Sequence, residues 1–154
     1  DPDELRPLNL DSSVLSIEGA QRLLDDSRAA VSAQDYPLAS QKLQDARQVL
    51  NELSNYHQEL AASFSGIDNR IFESHRALAL QSAQMRDQAT YELALLYRAQ
   101  NKPELAVPLL VQIISSQNPT RELGKEAYQQ LFELGFVESP YPRERGAQPT
   151  SNNR

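Results

Sequence analysis

The 154-residue sequence predicts an all-α fold: one domain of antiparallel helical hairpins, about five helices, set out as a repeat array or as a helical bundle. Three observations predict it. Apolar residues recur at three- and four-residue steps through most of the chain. Val, Ile and Thr almost never alternate with polar residues as they would in strands. Glycine is scarce, five in all, while the helix former alanine is abundant.

Residues 1–12, DPDELRPLNLDS, carry two prolines and no helical period, and read as an extended linker. Ser13 to Ala33 forms the first helix, with Leu15, Ile17, Leu23, Leu24, Ala30 and Val31 on a loose apolar face. QDYP at 34–37 is a turn, with Pro37 suited to the first helical position, where a missing N–H costs nothing. The second helix carries Leu38, Ala39, Leu43, Ala46, Leu50 and Leu53 and runs on toward Phe64. Gly66 suits its end and Asp68 suits the cap of the next.

The third helix continues to about Gln100. Its seam of Ile67, Ile71, Leu78 and Met85 is diluted by Ser74, Gln81 and Gln88, which argues against a long coiled coil. NKPE at 101–104 is a second Pro-marked turn. Leu105, Ala106, Leu109, Leu110, Ile113 and Ile114 then make a fourth stripe, in which Gln112 reads as exposed. NPT at 118–120 breaks it, and a last helix with Leu123, Ala127, Leu131 and Leu134 ends at Gly135. The helical domain thus spans 13–136. Residues 137–154 are too poor in apolar residues to order themselves and read as a flexible tail, or one that docks on a partner.

The stretch 87–120 has its small residues, Ala94 and Ala106, on either side of a short turn, with Leu93, Leu96 and Tyr97 facing the second helix. On Leu93, Ala94, Tyr97, Ala106, Leu110, Ile113 and Pro119 it resembles a tetratricopeptide repeat, and its period of about 34 residues agrees. It departs from that family at Thr90, where a large aromatic is usual, and at Pro108, inside the second helix. A looser copy covers 20–53, where Ala39, Leu43 and Ala46 mirror Ala106, Leu110 and Ile113 at a distance of 67 residues. Between the copies Glu73 stands where a small residue is expected, so the middle is either a degenerate repeat or a pair of extended helices. Residues 121–135 resemble the helix that closes such arrays. The resemblance implies an array whose first helices line a groove for a protein partner.

The chain lacks cysteine, which excludes disulfides, thiolate metal sites and cysteine nucleophiles. Its formal charge of −6 makes it a poor candidate for binding nucleic acid. His57 and His75 lack the second ligand at helical spacing that a zinc pair needs. Asp25 and Asp26 point roughly 100° apart and read as a solvated face. No phosphate loop, nucleophile elbow or calcium loop occurs. The expectation is a non-enzyme with no cofactor and no metal. Tyr91, Leu95 and Arg98 share one helix face opposite the core stripe. With Lys125 and Tyr128 they are the candidate partner-binding surface, the other reading being that the strip packs against a neighbouring helix.

The functional expectation is a protein-interaction or scaffold module, an accessory or assembly factor of a membrane-associated complex. The alternative is a permanent helical-bundle subunit that docks through its tails. The composition also resembles, without a motif, small cyanobacterial proteins of unknown function. With Asp1 in first place, that implies an exported protein of a periplasm or thylakoid lumen, or one tethered to a membrane through a removed N-terminal segment.

Overall fold

The computed structural model describes residues 13–117 and 121–142. Five helices follow one another: α1 (Ile17–Ser32), α2 (Tyr36–Phe64), α3 (Asn69–Ala99), α4 (Pro103–Gln117) and α5 (Glu122–Glu133), with no strand among the described residues. The linker at 1–12, the break at 118–120 and the tail beyond 142 lie outside the described residues.

Three of the five helices start on a side-chain cap that satisfies N–H groups left free by the first turn. Ser16 Oγ accepts from the Gly19 amide at 2.9 Å, Asp35 from Leu38 at 3.2 Å, and Asp68 from Arg70 and Ile71 at 2.9 and 3.1 Å. Asp68 caps α3 as its position before an apolar run predicts. Helix α1 begins four residues later than its periodicity suggests. Residues 13–16 instead fold back over the helix start, so close that a Cβ on Gly19 would lie 2.3 Å from the Ser13 carbonyl oxygen. Only glycine admits that approach. Pro37 sits at the second helical position, because Asp35 rather than Tyr36 is the cap.

Each helix packs against its successor, and α3 also touches α5. The two hairpins α1–α2 and α3–α4 close with the same turn. Gln34 and Asn101, 67 positions apart, both adopt the left-handed conformation, at φ 60° and 56°. After each the chain makes a six-to-one bond, from the Asp35 amide to the Ala30 carbonyl and from the Lys102 amide to the Tyr97 carbonyl, both 2.8 Å. The same turn recurs 34 residues on at Gly135, with Phe136 bonding to Leu131 at 2.9 Å. Ala39, Leu43 and Ala46 are buried at 0–2 %, as are their counterparts Ala106, Leu110 and Ile113. Ser27 takes in α1 the closely packed place that Ala94 takes in α3. The 67-residue correspondence therefore extends to turns and core alike.

The middle of the chain forms no third hairpin of repeat length. Helices α2 and α3 are 29 and 31 residues long, unbroken, and share the largest interface in the domain. Their proximal halves share the core with α1: Leu24, Ala30, Leu43, Ala46, Ala89, Leu93 and Leu96 in one cluster, with Ala20, Leu50 and Leu53 extending it. Ala94, Ala106, Leu110, Ile113, Ala127 and Leu131 join α3, α4 and α5 in another. No residue from Asn55 to Gln81 belongs to a core cluster, so the distal halves run on as a two-helix arm. Its tip, Ile67, is 77 % exposed. Small residues at 0–6 % exposure, Ser54, Ala61, Ala79 and Ser82, line its seam and let the two backbones approach.

His57 and His75 pair across this arm, Nδ1 to Nδ1 at 2.9 Å, with their rings stacked at 5.2 Å. One ring must donate and the other accept, so the pair holds only while at least one is neutral. Burial lowers the His57 pKa and the charge of His75 lowers it further. A histidine with a depressed folded pKa binds fewer protons folded than unfolded, so its stabilisation is full above the ordinary value of 6.5 and is lost as pH falls below it. The half-buried pair is screened by water and its effect stays under ~1 kcal/mol. A melting-temperature series should therefore fall more steeply between about pH 7 and 5 in the wild type than in His57→Gln. Parallel curves would remove the pair from the account.

Candidate functional site

Position along α3 decides which neighbour each side chain meets. Successive residues turn by roughly 100°, so Leu93 and Leu96 are buried against α1 and α2, Tyr91 and Arg98 face α5, and Leu95 stands at the open edge beside α1. Leu95 projects over a cleft of about 460 Å3 between α1, α2 and α3. Val31, Tyr36, Leu43, Leu96 and Ala99 supply its apolar wall. Leu95 and Val31 remain 36 % and 43 % exposed, as large aliphatic side chains seldom do when a neighbour covers them. At the rim Arg28 Nε lies 2.9 Å from Glu92 Oε1, and that hydrogen bond raises the Arg28 pKa. Asp25 flanks the same guanidinium at 3.6 Å.

Tyr91 and Arg98 turn toward α5. Arg98 Nη1 is 2.8 Å from Glu133 Oε2 and also donates to Gln130 Oε1. Gln130 Nε2 donates to the Tyr91 hydroxyl at 3.5 Å. Burial raises the Tyr91 pKa, and the charge of Glu126 adds to the effect. The strip is thus continuous on α3, with Leu95 open and its two flanking residues engaged by α5. The structure does not bring Lys125 and Tyr128 to it. The residues of α5 that meet the strip are Gln130 and Glu133, and Lys125 and Tyr128 lie roughly 140° around that helix.

Lys125 and Tyr128 instead hold the chain that follows Gly135. The Tyr128 hydroxyl donates to the Ser139 carbonyl at 2.6 Å, Tyr141 meets Tyr128 edge-on at 5.8 Å, and Lys125 Nζ stands 5.9 Å from the Tyr141 ring centre. Val137 packs on the α3–α4–α5 core. Residues 137–142 are therefore fastened to α5, against the expectation of a tail that is loose from 137. Two aromatic rings and one valine suffice to dock a segment whose average composition is polar.

On the opposite side of α3, charges that the sequence does not announce come together. A cleft of about 470 Å3 opens between α2, α3 and α4. Asp87, 3 % exposed, accepts from Arg86 Nε at 3.2 Å and from the Ser116 hydroxyl at 2.7 Å. Arg86 also donates to Asn51 Oδ1 at 3.1 Å and to Ser116 Oγ at 2.9 Å. Arg47 donates to the Thr90 hydroxyl at 2.9 Å and to Gln112 Oε1 at 3.0 Å. Burial lowers the Arg47 pKa, and neighbouring Arg86 pushes the same way. The network joins three helices. Thr90 is at its centre: its hydroxyl bridges Arg47 to the Arg86 carbonyl, at 2.9 Å on each side.

Among the described residues no group of three or more His, Asp or Glu side chains is placed to hold a metal ion, and no helix is long and apolar enough to cross a membrane. Compared with protein-family models, with curated proteins and with solved structures, the chain matches none.

Proposed function

We propose that the chain is a non-enzymatic protein-interaction module whose partner seats on the face of α1 and α3, with Leu95 at its centre. The observation that carries this reading is the open cleft under Leu95 and Val31, apolar within and rimmed by the Arg28–Glu92 ion pair. An apolar floor gives a partner side chain affinity, and a charged rim orients it. The resemblance of 87–120 to a tetratricopeptide repeat supports the same face, because α1 and α3 are the first helices of their hairpins. A second reading, a permanent subunit of a larger assembly, is favoured by the two-helix arm, where Tyr56, Leu60, Ile67 and Leu80 are exposed.

Leu95→Glu tests the first reading with little risk to the fold, since the side chain lies outside the core clusters. Loss of a central contact costs about 2 kcal/mol or more, roughly thirtyfold in affinity. Affinity capture by Leu95→Glu should fall by that factor, while Val111→Glu, on α4, captures as the wild type does. Equal capture by both variants, each with an unchanged melting temperature, would place the partner elsewhere.

A further inference from the structure

The cleft between α2, α3 and α4 is separate from the proposed docking face, and the hydrogen bonds within it leave an unbalanced remainder. Arginine only donates, so every group facing Arg47 or Arg86 must present an acceptor. Gln112 and Asn51 turn their amide oxygens to the two guanidinium groups, and the Thr90 and Ser116 hydroxyls spend their own protons on the Arg86 carbonyl and on Asp87. These acceptors are thereby engaged, and among the described residues the amide oxygens of Gln44 and Gln48 are the ones left open in the lining.

Donors make up most of what is left over. The Nδ2 amide of Asn51 and the Nε2 amide of Gln112 have no partner among the described residues, and neither does Arg47 Nη1. Gln48, exposed beside them on α2, makes no side-chain hydrogen bond among the described residues and adds another amide. Two guanidinium groups against one carboxylate give the lining a charge of +1, in a chain whose total is −6. At about 470 Å3 the cleft has the size of a small-molecule site.

We propose that this cleft binds a small oxyanion-bearing ligand, a carboxylate or phosphate compound, held by Arg47 and by the amide N–H groups of Gln48, Asn51 and Gln112. A guanidinium partly withdrawn from water binds such a group more strongly than an exposed lysine does, because its hydrogen bonds are charge-assisted and its fork is fixed, with Nε and Nη2 held by Thr90 and Gln112 and Nη1 left to meet the oxyanion. The internal network holds that fork in place before any ligand arrives, which reduces the ordering cost of binding.

The test is a titration of the whole chain at constant ionic strength with inorganic phosphate in one arm and citrate in the other. It is followed by nuclear magnetic resonance at the side-chain N–H signals. The proposal expects saturable shifts at the Asn51, Gln48 and Gln112 amides and at Arg47 Nε in at least one arm. Tighter binding of citrate would identify a carboxylate ligand, and tighter binding of phosphate a phosphate one. Gln48→Glu breaks no internal bond and places a like charge at the mouth of the cleft, so it should weaken binding about tenfold. The proposal is overturned by the absence of saturable shifts in both arms up to ~10 mM, by shifts spread over the surface, or by unchanged affinity in folded Gln48→Glu.

Discussion

Arginine at Ala106 should destabilise the domain by several kcal/mol, on the order of 4. Ala106 is fully buried where α3, α4 and α5 meet, packed with Ala94, Leu110, Ile113, Ala127 and Leu131. The two alanines set how closely α3 and α4 approach. A long side chain there must push the helices apart, and its charge finds no carboxylate in the cluster. Ala39→Arg should act alike, since Ala39 holds the equivalent place in the first hairpin. The fitting comparison is Val111→Arg, at a position 42 % exposed on the same helix. Gln112, which its sequence spacing marks as a neutral site, is unsuitable because it accepts from Arg47. Thermal unfolding of Ala106→Arg at the wild-type temperature would mean that the α3–α4 contact is misread.

Asp87→Ala should cost about 3 kcal/mol, and Asp87→Asn clearly less. The carboxylate is almost fully buried and balances Arg86, and the Ser116 hydroxyl donates to it from α4. Its removal leaves Arg86 beside Arg47 with no negative charge between them and loosens α4 from the long hairpin. Arg86 and Ser116 donate to different oxygens of the carboxylate, and asparagine keeps an acceptor for only one of them, so its stability should lie between those of the wild type and the alanine variant. Denaturant unfolding measures both, and an Asp87→Ala midpoint equal to that of the wild type would show that the network contributes nothing to stability.

The two mutations differ in how visible their sites are in the sequence. Ala106 is legible because a small residue inside an apolar stripe, close to a turn, means a close helix crossing whatever the rest of the fold. So are the five helices, the Asp68 cap, and the correspondence of Ala39, Leu43 and Ala46 with Ala106, Leu110 and Ile113. Asp87 is not legible. It stands in a helix beside Arg86 and reads as one charge among many. The partners of this pair, Ser116 and Asn51, are about 30 and 35 residues away, and only the packing of α4 on the hairpin brings them together. One signal was present: Thr90 and Asp87, one turn apart, are polar on the face where Leu93 and Ala94 are core.

The candidate surface divides along the same line. Tyr91, Leu95 and Arg98 share a face because helical geometry alone puts them there. Which side of α5 meets that face depends on how α5 crosses α3, a tertiary property, so Gln130 and Glu133 stand where Lys125 and Tyr128 were expected. The length of α2 and α3 had a similar limit. Helical periodicity is the same in a degenerate repeat and in an extended pair, and the chain has no glycine or proline between Asp68 and Gln100 to force a break.

Contact between a partner and Leu95 is the claim on which the functional reading stands, and site-specific photo-crosslinking measures it. A benzophenone side chain placed at Leu95, at Leu60 on the arm and at Val111 on α4 gives three probes of three surfaces, all at exposed positions. The account predicts one recurrent protein adduct from position 95, abolished by Glu at Val31 across the cleft, and none of that mass from 60 or 111. The same adduct from position 60 with nothing from 95 would contradict it and would make the arm the docking element.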